Sequence, residues 1–123
     1  MTKRSARILA VDDDRTMLNL IREVLSKEKF HITTVEGGKE GMKVLNRSRF
    51  DLILLDIDMP DVNGFDVLRH IRSRSSDVKV VMVTGLNDLE SGVRAMESGA
   101  NGYITKPFNV KDFVSEVRRV LEL

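Results

Sequence analysis

The chain has 123 residues, 41% of them hydrophobic and 32% charged, proportions that fit one globular domain and exclude a disordered segment. With 20 basic against 19 acidic residues the net charge is +1, which excludes long-range attraction to nucleic acid or anionic membrane as the dominant function. The absence of cysteine excludes disulfides, thiolate zinc sites and cysteine nucleophiles.

In chain order, Met1 to Arg7 is polar and basic with no long apolar run behind it, so no signal peptide is predicted. Ile8-Leu9-Ala10-Val11 is a short continuous apolar run, the pattern of a parallel strand covered on both faces. Leu18, Ile21 and Leu25 then recur at helical spacing. His31 to Val35 mixes polar and apolar positions, which suits an edge strand, and Lys39 to Asn46 reads as a helix. Leu52-Ile53-Leu54-Leu55 is a second buried strand, followed by Phe65, Leu68 and Ile71 at helical spacing. Val78 to Val83 is a third, followed by a helix over Leu89 to Glu97. Gly102 to Thr105 is a very short edge strand, and Val110, Phe113, Val117, Val120 and Leu121 mark a final helix. No apolar run approaches the roughly 20 residues needed to span a bilayer. Strand and helix alternating five times, without linker or repeat, predicts one α/β domain over residues 1–123, a parallel sheet with helices on both faces. A cytoplasmic location is expected.

In open α/β sheets ligands gather at the carboxyl ends of the strands, so the residues that follow each strand carry the chemistry. The first strand runs into Asp12-Asp13-Asp14, the third into Asp56-Ile57-Asp58, the fourth into Thr84-Gly85 and the fifth into Lys106-Pro107. Converging carboxylates raise one another's pKa and call for a cation. Oxygen donors without Cys or His point to a hard ion, and few donors with water completing the shell point to Mg²⁺. Lys106 can hold a phosphoryl oxygen and Thr84 can donate to another. An aspartate in such company is a plausible nucleophile toward phosphorus. Asp14, directly before Arg15, reads as a helix cap rather than a ligand.

The ordered set Asp12-Asp13, Asp56-x-Asp58-Met59-Pro60-x-x-x-Gly64, Thr84-Gly85 and Lys106-Pro107 resembles the receiver domain of bacterial two-component response regulators, chemotaxis regulators among them. The resemblance runs from about Arg7 to the final helix. It implies a flavodoxin-like doubly wound (βα)5 fold, with five parallel strands in order 2-1-3-4-5. It implies that Asp56 is the phosphoacceptor, taking its phosphoryl group from a sensor histidine kinase or a histidine phosphotransfer protein. Asp12, Asp13, Asp56 and the backbone carbonyl of Asp58 would hold Mg²⁺, for which Mn²⁺ can substitute. Lys106 would pair with the phosphorylated carboxylate. Thr84 would move toward the phosphoryl group and let Tyr103 turn inward, reshaping the face of the fourth helix, fifth strand and fifth helix for a downstream effector or a linked output domain. Phosphorylation-linked homodimerisation is compatible with that scheme, and neither nucleic acid nor membrane is a direct partner. Gly85 would leave room beside Asp56, Gly64 would serve unusual backbone angles, and Lys106-Pro107 matches a position where the family often has a cis peptide.

Three alternatives share some of these features. Asp56-Ile57-Asp58 after an apolar strand also resembles haloacid-dehalogenase-type phosphatases, but Met59-Pro60 follows and no cap segment is present. A flavodoxin-like electron carrier needs a hydroxyl- and glycine-rich phosphate cradle where this chain has three aspartates, and no G-x-G-x-x-G dinucleotide motif occurs. The third is an interaction module independent of phosphorylation. The expected product of the chemistry stays on the protein itself, so the chain is not expected to be an enzyme in the usual sense. It reads either as a single-domain regulator without an output domain or as a receiver from a longer protein. His31 and His70 lack metal-ligand spacing and read as structural or exposed.

Overall fold

The computed structural model describes residues 5–74 and 76–123, so Met1 to Arg4 of the basic N-terminal stretch lie outside the described residues. Five strands alternate with five helices: β1 (Arg7–Val11), α1 (Arg15–Lys27), β2 (His31–Val35), α2 (Gly38–Arg47), β3 (Leu52–Leu55), α3 (Gly64–Ser73), β4 (Lys79–Thr84), α4 (Leu89–Glu97), β5 (Gly102–Thr105) and α5 (Val110–Leu121). The strands form one parallel sheet in the order β2-β1-β3-β4-β5. This is the predicted flavodoxin-like architecture, with the two weak strands at its edges. β4 begins and ends one residue later than its apolar run, because Thr84 pairs with Thr105 and so joins the sheet.

Alternation along the strands divides the interior into two layers. Ile8, Ala10, Leu52, Leu54, Val81 and Val83 face α1 and α5, where they meet Leu18, Ile21, Leu25, Phe113 and Val117. Leu9, Val11, Ile53, Leu55, Val80 and Met82 face the other way, against Val44, Phe65, Leu68 and Ala95 of α2, α3 and α4. With both faces covered, β3 is buried throughout, and each such aliphatic side chain contributes about 1.5–3 kcal/mol through burial. Among the described residues no helix is long and apolar enough to cross a membrane.

Helix ends are set by local chemistry. Asp14 accepts from the N–H groups of Thr16 and Met17 and so caps α1 as expected. Asn63, Asp88 and Asn109 do the same for α3, α4 and α5. The carboxy-terminal end of α4 is fastened from α3. The Arg72 guanidinium donates to the Gly99 carbonyl from Nε and Nη2 at 3.0 and 2.8 Å, to the Ser76 and Val78 carbonyls at 3.0 and 2.7 Å, and to Asn101 Oδ1 at 3.0 Å. Gly99 makes this possible: its φ is +104°, and a Cβ there would meet the Arg72 side chain at 3.0 Å. One charged fork thus ties α3, the start of β4 and the α4–β5 turn together. Replacing it leaves several carbonyl oxygens without their donor, so Arg72→Ala is expected to lower stability by about 2–4 kcal/mol in urea-induced unfolding.

Candidate functional site

The register of the sheet brings the chemistry-bearing residues to one edge. Past the last ladder residues the backbone pattern continues: Asp12 N–H donates to the Val35 carbonyl at 3.2 Å, Asp56 N–H to that of Val11 at 3.0 Å, and Lys106 N–H to that of Thr84 at 2.8 Å. The backbones of Asp12, Asp56 and Lys106 therefore leave the sheet at points set by strand pairing. One carboxylate oxygen from each of Asp12, Asp13 and Asp56 lies within 4.8 Å of the other two. Asp12 and Asp56 are buried, at 2% and 5% exposure, while Asp13 is exposed.

Lys106 reaches across this group. Its Nζ donates to Asp12 Oδ2 at 2.6 Å and, more loosely, to Asp56 Oδ2 at 3.5 Å. In this structure, which carries no phosphoryl group, Asp12 is thus its nearer partner and Asp56 its further one. Burial works against the ammonium, but the bond to Asp12 and the charges of Asp12 and Asp56 outweigh it and raise its pKa. Burial also raises the Asp12 carboxyl, with the Asp56 charge adding to it and the bonds from Lys106 and the Asp14 N–H opposing it. The Lys106 ammonium is shared by Asp12 and Asp56, and Asp13 adds a third carboxylate to the cluster, so negative charge is in excess. A hard divalent cation fits that donor set of oxygens alone, and Asp12, Asp13 and Asp56 are brought together by the fold. Asp58 is exposed, and its N–H points back at Asp56 Oδ1 over a long 3.4 Å.

Thr84 closes β4 fully buried, and its Oγ1 accepts from the Leu86 N–H at 3.3 Å. Tyr103 packs against the core on the α2–α3–α4 face and donates from its hydroxyl to the Leu86 carbonyl at 2.6 Å. Leu86 is the member of this site that sequence reading missed; a leucine carries no signal for a role played by its backbone. Burial, then the charges of Asp88 and Asp56, raise the Tyr103 phenol. The Lys106–Pro107 peptide is cis, as expected.

The two glycines act through space. A Cβ at Gly64 would sit 2.2 Å from the Asp56 carbonyl oxygen. Its φ is not positive, which corrects the expectation of unusual backbone angles. The residue is glycine because α3 starts hard against the Asp56 backbone. A Cβ at Gly85 would meet nothing within 4 Å, so the space beside the site is open there. His31 is exposed. His70 is half-buried far from the cluster, in a groove between the ends of α2 and α3, and its Nε2 has no hydrogen-bond partner among the described residues.

The response regulator receiver domain model matches residues 8–118. The chain belongs to the response regulator receiver family. It is 40% identical over 112 residues to the DNA-binding response regulator MtrA of Mycobacterium tuberculosis, covering 91% of this chain and 49% of MtrA. It is 31% identical over 115 residues to the cell cycle transcriptional regulator CtrA of Caulobacter vibrioides, covering 94% of this chain and 50% of that one. The chain therefore spans about half the length of the curated relatives it matches. Among solved structures, a CheY-like receiver from Methanospirillum hungatei superimposes with a TM-score of 0.91 at 32% identity, over 97% of this chain and 95% of that one. TrrA of Thermotoga maritima, solved in complex with Mg²⁺–BeF, gives 0.85 at 32% identity over 94% and 98%. Membership of a two-component receiver family replaces the phosphatase and flavodoxin-like alternatives as the family assignment.

The Lys106–Asp12 pair yields a test with a definite sign. Without Lys106 the Asp12 carboxyl loses a bond and a charge that lower its pKa, so it moves further above its unfolded value. A carboxyl raised by folding costs stability at high pH and returns it as pH falls through the folded pKa. Lys106→Ala in Mg²⁺-free buffer is expected to lose about 3 kcal/mol near neutral pH. The deficit should shrink as the pH approaches about 4, measured as urea midpoints across a pH series.

Proposed function

We propose that this receiver accepts a phosphoryl group on Asp56 and acts as a two-component switch. The observation that carries the reading is the meeting of Asp12, Asp13 and Asp56 with Lys106 and Thr84 at one sheet edge. A carboxylate oxygen of Asp56 attacks phosphorus, the bond to the donor's phosphohistidine nitrogen breaks, and an acyl phosphate forms on the protein. Mg²⁺ held by Asp12, Asp13, Asp56 and the Asp58 carbonyl would supply neutralisation of the crowded negative charge; the Mg²⁺–BeF complex of TrrA supports this for a relative.

Lys106, already 3.5 Å from Asp56 Oδ2, pairs with the charge that phosphorylation adds. The Thr84 hydroxyl, at the end of β4, is a hydrogen-bond donor for a phosphoryl oxygen. The phosphodonor is a sensor histidine kinase or a histidine phosphotransfer protein. The recipient of the signal is a separate effector or a linked output domain, as the longer DNA-binding relatives suggest. The surface for it is α4, β5 and α5, where Leu89, Val93, Met96 and Val110 are exposed apolar side chains. A second receiver on that face would give phosphorylation-linked homodimers. On this reading the chain works in the cytoplasm and is no enzyme toward free substrates, since the transferred group ends on itself.

Intact-mass spectrometry after incubation with acetyl phosphate tests the reading. The parent is expected to gain one phosphoryl mass only when Mg²⁺ is present, and Asp56→Asn to gain none, because an amide is a poor nucleophile. Equal labelling of Asp56→Asn would remove Asp56 as the acceptor, and no labelling of a folded parent would favour an interaction module independent of phosphorylation.

A further inference from the structure

α2 begins without a cap of its own. Four helices are preceded by an Asp or Asn that meets their free N–H groups, but α2 is preceded by Gly37, which has no side chain to offer. Its first donors are met from elsewhere in the chain. Asp61, on the loop that carries Asp56 and Asp58, accepts the Gly38 N–H on Oδ1 at 3.2 Å and the Lys39 N–H on Oδ2 at 3.1 Å. Oδ1 also takes the Val62 N–H at 2.9 Å, which fixes the carboxylate to its own loop. The bond from Lys39, ahead of those from Gly38 and Val62, holds the Asp61 carboxyl below its usual range.

The approach depends on the two glycines. A Cβ at Gly37 would lie 2.8 Å from Asp61 Oδ2, and one at Gly38 would lie 3.0 Å from both Val62 Cβ and Val67 Cγ2. One turn further along the same face, α2 rests on β1: a Cβ at Gly41 would be 3.0 Å from Val11 Cγ2, in the residue directly before Asp12. The acidic cluster draws one part from the end of β1 and the other from the loop after β3. Asp61 joins that loop to the helix packed on β1, and it is not itself one of the clustered carboxylates.

We infer that Asp61 is a positioning residue for the metal-binding carboxylates, tethering the loop of Asp56 and Asp58 to α2 and thereby to the strand that delivers Asp12 and Asp13. The inference rests on the Mg²⁺-dependent reading above. A purely structural cap would stabilise α2 and leave the cluster's spacing to the sheet. A tether also sets how well the two parts of the cluster meet one ion, in the way supporting groups around metal ligands govern affinity.

Three variants of the full chain separate these roles, read by Mg²⁺ titration calorimetry and by thermal unfolding. Asp61→Asn removes the charge and keeps an acceptor oxygen; Asp61→Ala removes both. Adding Gly37→Ser to Asp61→Ala gives α2 a cap of its own, at a residue whose extended backbone suits a cap and in the space the lost carboxylate vacates. Asp61→Ala is expected to bind Mg²⁺ about tenfold more weakly than the parent, and Asp61→Asn to lose no more than about threefold. The double variant should regain thermal stability without regaining affinity. Parental affinity in Asp61→Ala would overturn the inference, as would an Asp61→Asn defect equal to that of Asp61→Ala, or affinity restored together with stability by Gly37→Ser. A parent that takes up no Mg²⁺ would overturn the metal reading itself, whereas a binding parent with an indifferent Asp61→Ala would overturn the tether alone.

Discussion

Parallel pairing of β1 with β3 forces carboxylates together that would separate if they were free. Val11 and Leu55 are register partners, so the residues that follow them, Asp12 and Asp56, emerge side by side, both buried. The hydrophobic layers on the two faces of the sheet hold that register against the electrostatic cost. Lys106 offsets part of it from the end of β5, and the excess negative charge leaves a place for a cation. The site is thus a strained point in an otherwise consistent core, and its chemistry follows from the strain.

The same edge connects to the surface through Leu86. Thr84 accepts its N–H and Tyr103 donates to its carbonyl, so a shift of Thr84 acts on the residue that anchors Tyr103. The helix that follows is lightly packed. Of α4's residues only Ala95 is buried, and Arg94 lies over the Phe65 ring at 4.0 Å. Its carboxy-terminal end is fastened by Arg72 through Gly99. A helix held firmly at one end and loosely along its length has the low local stability from which moving elements are drawn.

Much of this was legible in the sequence because it depends on short-range pattern. Continuous apolar runs identified β1, β3 and β4, mixed or short ones placed β2 and β5 at the edges, and Asp14 showed itself as a cap by preceding an amphipathic run. The members of the acidic cluster were legible because each follows a strand. Features that depend on distances between remote segments were not. Nothing near Lys106 says that Asp12 is closer than Asp56. Gly64 suggested backbone freedom where the real constraint is an approach to the Asp56 carbonyl. Asp61 carries no mark of its role; the only trace lies 24 positions earlier, in the missing cap residue at Gly37.

The claim that this edge is a cation-dependent phosphoryl site is tested most directly by residue-resolved amide NMR of the parent chain, first with Mg²⁺ and then with beryllofluoride added. The account predicts saturable Mg²⁺ shifts confined to Asp12 to Asp14 and Asp56 to Met59. Beryllofluoride should then extend the changes to Thr84, Leu86, Tyr103 and Lys106, while the opposite edge around His70 stays still. Absence of saturable shifts at the acidic cluster, or equal shifts at both edges of the sheet, would contradict it.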